Sequence, residues 1–500
     1  MNSALLLFAI PSMFLLGALI SVLPAPRRLA AVATPLLSAA SLVFALAVTA
    51  HVLRAGSGPG TGGGAAYRLE AIPNWIAIDG FGSLLLLLIT FVAVLASLFS
   101  LGYMRARARD RSDMALRLYH VNFNLFLFSI VTVPMMEEVA LAWIAVELTT
   151  LLSVMLVAFE NTREALEAAW KYVILTMVGA AIALLGIIVL FRALAQSGGG
   201  PFTWTALRHA GPSLSPLLTA GGFLLILVGF GVKVGLAPLH TWLPDAHSQA
   251  PSPVCAILSG VETSTILFVV LRLFPAVAAH PQFHLQSWAV TFGLISVGTA
   301  AFLLIQVRDL KRLFAFSTVE QMGIILTAAG LSSTNPAIVP YQLFTHALAK
   351  PLCFFAAGAI LVSLGTRDIR SLRGIIRREP VAGAGLLIGA LAVTGAPPFA
   401  LFLSELSIFR AGIASGSYVA VGLLLLFIIV AFAAVLFHVG GVVFGHPPET
   451  LPPAATRVPL SSLAAIGLAM VPVLLFGVWV PGPISDLLRM AGAAISGGSL

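Results

Sequence analysis

Lys171, Lys233 and Lys350, three of the four lysines in this chain, lie in apolar stretches long enough to cross a bilayer. Glu147, Glu262, Glu320 and Glu405 lie in stretches of the same kind. A charge at mid-membrane costs roughly 2.5–3.5 kcal/mol on insertion scales, so such residues face a partner or a water-filled path. Amines and carboxyls placed this way can bind and release protons or cations. Glu147 sits in LAWIAVELTTLLSVML. An unpaired carboxyl there favours its neutral form, because burial penalises charge, whereas a nearby ammonium lets both stay ionised. Lys233 is the natural partner, and changing its separation from Glu147 would switch proton uptake and release. The alternative is a static ion pair that ties two helices together.

Lys350 follows His346 by four residues in FTHALAKPLCFFAAG, which puts both on one helical face, a spacing suited to proton relay. Glu405 is read as the last titratable group before an exit, or as an interfacial carboxylate near a helix end. Glu262 has Thr263, Ser264 and Thr265 beside it, hydroxyls that could hydrogen-bond a neutral carboxyl. The segment PLHTWLPDAHSQAPSP (238–253) gathers His240, Asp245 and His247 in a cytoplasmic turn. Two histidines and an aspartate invite a metal reading, but the spacing fits no zinc pattern, and a structured loop or proton entrance is expected. Glu320 and Lys171 fall near span ends, where snorkelling explains them.

The elements that must hold these residues follow from composition. The chain has 500 residues, 59% hydrophobic and 9% charged, which excludes an ordinary soluble domain. The apolar runs are continuous rather than alternating, which excludes a β-barrel and predicts an all-α polytopic membrane protein. The predicted spans are 3–23, 30–53, 80–102, 118–135, 138–159, 169–194, 217–238, 254–274, 286–306, 313–330, 340–364, 382–407, 417–445 and 458–480. Two are interrupted at comparable places: the seventh at Gly235 and Pro238, just after Lys233, and the twelfth at Gly395, Pro397 and Pro398, just before Glu405. Each break frees backbone groups that only protein or water at that depth can satisfy. Paired broken helices in two halves point to an inverted-repeat transporter with its ion path near the breaks.

The net charge of +8 is explained by topology rather than by nucleic acid. With a non-cytoplasmic N-terminus, arginines and lysines divide 17 to 7 in favour of the cytoplasmic loops, as the positive-inside rule requires. The first span has no basic flank before it and is read as a retained helix. Stretches 55–66 and 195–216 are predicted outward loops. Cys255 and Cys353 offer no iron–sulfur or zinc spacing, so no cofactor is expected in this chain. No phosphate-binding loop or nucleophile–base set is present, which leaves nothing for an ATP-driven pump or a hydrolase.

Several segments carry a resemblance. WIAVELTTLLS (143–153), EAAWKYVI (167–174) and GFGVKVGLAPLHTWLPDAHSQAPSPV (229–254) are similar to the proton-pumping antiporter-type membrane subunits of complex I, Mrp antiporters and membrane-bound [NiFe] hydrogenases. So are RDLKRLFAFSTVEQMG (308–323), HALAKPLCF (346–354), GTRDI (365–369) and GAPPFALFLSE (395–405). Within that family the chain most resembles the hydrogenase-4 branch, in its component F. The resemblance implies 14 helices in two inverted five-helix repeats with helices seven and twelve broken. It implies Glu147 and Lys233 as the family's glutamate–lysine couple, Lys350 as its central lysine and Glu405 as the acid of the broken twelfth helix. Two departures stand out: Ser264 where complex I subunits usually carry a lysine, with Glu262 half a turn earlier, and Gln321 where histidine or asparagine is common.

Together these readings predict an N-terminal three-helix segment (1–117), an antiporter-like core (118–445) and a C-terminal helix and tail (446–500). The expected function is proton translocation within a hydrogenase-4-like or complex I-like oxidoreductase complex in the cell membrane, the inner one in a bacterium. The expected partners are other membrane subunits and a peripheral redox arm. The rival readings are an Mrp-type cation/proton antiporter subunit, with H⁺ or Na⁺ as cargo, the membrane half of an inorganic-carbon uptake system, and a structural anchor.

Overall fold

The computed structural model describes residues 3–23, 27–56, 67–107, 111–331, 335–446 and 456–496. The glycine-rich stretch 57–66, Arg109 and the last four residues lie outside them. The chain opens with two long helices, α1 (Ser3–Val22) and α2 (Arg27–Gly56). A hairpin that the sequence reading did not anticipate follows, β1 (Leu69–Ile72) paired antiparallel with β2 (Ile76–Ile78). Then come α3 (Gly80–Arg107), α4 (Asp113–Thr132), α5 (Val139–Val157) and α6 (Arg163–Gln196). Ser112, Glu138 and Thr162 start the last three by accepting the amides of Ala115, Leu141 and Ala165.

The predicted outward loop 195–216 contains a short helix, α7 (Trp204–Ala210). Beyond it run α8 (Pro216–Val234), α9 (Trp242–Gln249), α10 (Ser252–Ile257), α11 (Thr263–Leu271) and α12 (Phe274–Ala278). Between α10 and α11, Leu258–Glu262 form a π-helical turn, so the eighth span is continuous but locally widened. The second half consists of α13 (Leu285–Leu304), α14 (Leu310–Leu331), α15 (Ile338–Leu364), α16 (Ile375–Arg378), α17 (Pro380–Val393), α18 (Ala400–Ala414) and α19 (Tyr418–Phe444). It closes with α20 (Leu460–Val478) and α21 (Gly482–Ser496). The last is amphipathic and carries Asp486 and Arg489 on its exposed face, where only a tail was expected.

Thirteen helices among the described residues are long and apolar enough to cross a membrane, and the chain is an all-α multi-pass membrane protein. The short α17 and α18, at about 1.5 Å per residue, together supply the length of one further crossing. Burial sorts the bundle. The most apolar windows of Ser252–Ala278 and Ile338–Leu364 are 100% buried, whereas those of α2 and α20 are 33% and 28% buried. The polar residues singled out in the sequence therefore belong largely to its central helices. Where α6 crosses α8 the backbones nearly touch: a Cβ on Gly229 would lie 2.4 Å from the Ala183 nitrogen, so only glycine fits.

Candidate functional site

The site begins where α8 stops. Gly235 takes a left-handed φ of +87°, and the Leu236 amide reaches back to the Gly231 carbonyl at 2.8 Å, a glycine-terminated helix end. A side chain there would also strike Leu243, so φ and space both require glycine. The chain then turns through Pro238, and the released backbone is taken up by protein: Trp242 Nε1 donates to the Val232 carbonyl at 2.7 Å, and the Ala237 amide to Ser296 Oγ at 3.0 Å. Lys233, two residues before the stop, is buried. Its Nζ donates to the Val146 carbonyl and lies 3.8 Å from Glu147 Oε2. Glu147 is largely buried on α5, with 15% of its side chain exposed.

Glu262 closes the π-helical turn and is buried, and its carboxyl, like that of Glu147, is close enough for its charge to act on Lys233. The expected help from Thr263, Ser264 and Thr265 is absent. Their hydroxyls bond the carbonyls of Ser259, Gly260 and Val261, four residues back in their own helix. Glu262 instead accepts from Tyr172 Oη at 3.4 Å, and that hydroxyl also meets Ser153 Oγ at 2.8 Å.

From there the polar groups continue along the antiparallel pair α14 and α15. His346 Nε2 lies 3.1 Å from the Ser259 carbonyl, and because a carbonyl only accepts, Nε2 carries the hydrogen and Nδ1 is left as an acceptor. Ser259 also meets Thr318 at 2.6 Å. Lys350, one turn beyond His346, donates to Ser317 Oγ at 2.6 Å and to the Phe314 carbonyl at 2.8 Å.

The second break repeats the first. Gly395 has φ +67°, and the Ala396 amide reaches the Leu391 carbonyl at 3.0 Å. Pro397 and Pro398 follow, as Pro238 follows Gly235. The freed Val393 carbonyl accepts from Gln321 Nε2 at 3.1 Å. Gln342 Nε2 donates to Gln321 Oε1 at 2.8 Å, and Ser404 donates to Gln342. Glu405 is buried against these amides, with its carboxyl over Gly395. It is not near the C-terminal end of its helix, since α18 runs on to Ala414; the predicted span stopped at 407 because it took the broken helix as a single apolar run.

The remaining candidates divide. His240 lies in the turn that follows the break, but Asp245 and His247 do not lie in a loop: residues 242–249 form α9, and Pro244 sits in the first turn of that helix, where a missing amide is harmless. His247 is buried, with Nδ1 2.8 Å from the Leu243 carbonyl. Asp245 faces the other way and binds Lys171 at 3.3 Å and Arg312. Lys171 therefore does not merely snorkel; it also pairs with Glu167 at 2.6 Å. Two adjacent cavities of about 380 and 330 Å³ open here, lined by Arg107, Glu164, Lys311, Asp245 and Arg367 among others. Glu320 was misjudged most. It is midway along α14 and buried, and its Oε2 has no hydrogen-bond partner among the described residues. The i, i+3 relation to Ser317 was visible in the sequence, but not which face of α14 meets the centre.

The comparisons agree with this architecture. Residues 136–430 match the family described as NADH:quinone oxidoreductase/Mrp antiporter, TM, and residues 71–112 match NADH-Ubiquinone oxidoreductase (complex I), chain 5 N-terminus. A hydrogenase-4 component F homolog of Methylacidiphilum infernorum is 34% identical over 76% of this chain and 81% of its own length. The chain spans only 50% to 53% of the length of several other curated relatives it matches. Among solved structures, a chain of the membrane-bound sulfane sulfur reductase, an archaeal respiratory membrane complex, superposes with a TM-score of 0.83 at 23% identity, covering 99% of this chain and 98% of that one. A chain of the Mrp complex from Dietzia sp. DQ12-45-1b superposes with a TM-score of 0.82 at 18% identity, covering 99% and 97%. At those identities the likeness is one of fold.

Proposed function

The chain belongs to the NADH:quinone oxidoreductase/Mrp antiporter membrane family, and from that premise we propose that it translocates protons as one subunit of a larger membrane complex. The observation that carries the reading is Lys233 beside Glu147 at 3.8 Å, at the end of a broken helix inside an apolar bundle. Groups that can hold a proton continue from it through Glu262, His346 and Lys350 to Glu405 at the second break. A movement in a partner that separates Glu147 from Lys233 weakens the hold on the ammonium, and the proton passes on toward Lys350. Glu405 then releases it. The two breaks act as repeats of one design, each keeping polar backbone at the depth where a charge must pass.

The partners we infer are other membrane subunits and a redox arm of the hydrogenase-4 kind, supported by the 34% identical relative. The basic face that gathers Arg107, Lys311 and Arg367 is assigned to the cytoplasm, which puts the N-terminus outside. Purifying the complex from its native membrane and identifying its other chains tests the assembly: hydrogenase-type subunits support the reading, and cation antiporter subunits replace it with an Mrp-type exchanger. A Lys233→Ala complex that assembles normally is expected to lose proton transport. Normal transport by it leaves the charged residues as a structural anchor.

A further inference from the structure

We propose that Glu320 is the carrier that takes the proton from Lys350 and passes it to Glu405, a step that rests on the proton-transport reading above. Glu320 lies one turn along α14 from Ser317, which holds the Lys350 ammonium at 2.6 Å, and next to Gln321, whose amide bonds the Val393 carbonyl two residues before the Gly395 turn that the Glu405 carboxyl covers. Glu320 is 1% exposed, and its Oε2 has no hydrogen-bond partner among the described residues. A carboxyl that served only to tie helices would be hydrogen-bonded, as nearly all buried polar atoms are.

The polar groups around it cannot do its work. Gln321 donates to the Val393 carbonyl and accepts from Gln342, which accepts from Ser404. These amides pin α14, α15 and α18 to the broken helix, and an amide does not take up a proton near neutral pH. His346 turns its bonded nitrogen the other way, toward Ser259. Among the described residues that these bonds gather beside Lys350 and Glu405, Glu320 is the group able to hold a proton.

The step balances without a co-reactant. Lys350 gives one proton to the Glu320 carboxylate, leaving a neutral amine and a carboxylic acid. The acid then gives the same proton to the Glu405 carboxylate, directly or through one water. Because two neighbouring carboxylates repel, the pair holds one proton more readily than none, and a second proton arriving at Glu320 favours release of the first from Glu405.

The test uses the whole complex in liposomes. Glu320→Gln keeps the size and loses the carboxyl. Proton transport is expected to fall about a hundredfold, the lower end of what a positioned acid–base group contributes, with subunit composition unchanged. Infrared difference spectra on turnover are expected to lose a protonated-carboxyl band that the wild type shows, which a structural role would not remove. Transport at the wild-type rate by Glu320→Gln, beside a Lys233→Ala complex that has lost it, overturns this step alone. A wild-type complex that moves no protons sinks the parent reading and this step with it. Should the amide variant fail to assemble, Glu320→Asp decides: slower transport with a displaced carboxyl band supports the step, and an unchanged rate and band overturn it.

Discussion

Replacing Glu147 by glutamine removes one charge from a pair and leaves its shape nearly intact. The Lys233 ammonium lies 3.8 Å from Glu147 Oε2. At an effective dielectric constant near 20, two unit charges at that distance attract by about 4 kcal/mol, a factor of roughly a thousand in any equilibrium that separates or neutralises them. The Lys233 hydrogen bond to the Val146 carbonyl survives the change, so the lysine stays where it is and only the Glu147 charge is lost. Assembly of the complex is therefore expected to persist, while proton transport coupled to the partner's movement falls at least about tenfold. Fluorescence quenching of a pH-sensitive dye in inverted membrane vesicles measures this, with complex content checked on native gels. Glu147→Asp, which keeps the charge and shortens the arm, is expected to retain part of the rate. Wild-type transport by Glu147→Gln would refute the reasoning, because a charge worth that much cannot be both central to the switch and dispensable.

Three further outcomes follow from single contacts. Gly395→Ala forces a left-handed residue and sets a Cβ 2.1 Å from Glu405 Oε2, so the carboxyl must move and transport is expected to be lost in an assembled complex; full activity counts against the placement of Glu405. Tyr172→Phe removes a hydroxyl bridging Ser153 and Glu262, worth about 1 kcal/mol net, and is expected to slow transport only a few-fold, against a much larger loss for Glu262→Gln; equal effects in the vesicle assay would contradict that ranking. Away from the proton path, Arg272 Nη2 donates to Asp79 Oδ1 at 2.8 Å, and Asp79→Asn is expected to cost about 3–5 kcal/mol of stability, read as a lower Tm in detergent. Burial alone would raise the Asp79 carboxyl, but Arg272 and the Gly82 amide hold it below its ordinary 3.8. The contribution is therefore complete above that pH and lost as the pH falls through the lowered value, so the Tm difference between wild type and Asp79→Asn is expected to shrink only in acid.

How much was legible differs by residue. Lys233 and Glu147 could be paired from sequence because each is costly alone in an apolar run, and helix breaks at Gly235 and Gly395 announce themselves in glycine and proline. Glu320 was not legible: its predicted span, 313–330, left it close to one end, whereas α14 begins three residues earlier and turns that face to the centre of the bundle. Glu262 was found, but its partners were misassigned, since hydroxyls next in sequence satisfy their own helix and the true donor, Tyr172, is 90 residues away. The hairpin Leu69–Ile78 and the amphipathic α21 went unread because a hydropathy reading of long spans passes over short strands and surface-lying helices.

Proton uptake by liposomes holding the purified complex, driven by the complex's own reaction and compared between wild type and Lys350→Met, tests the continuous buried path most directly. Lys350 sits between the two breaks, and methionine fills its volume with no group to hold a proton. The account predicts strong proton uptake in the wild type and none above background in the variant, with the driving reaction still measurable. Equal uptake in both would contradict it.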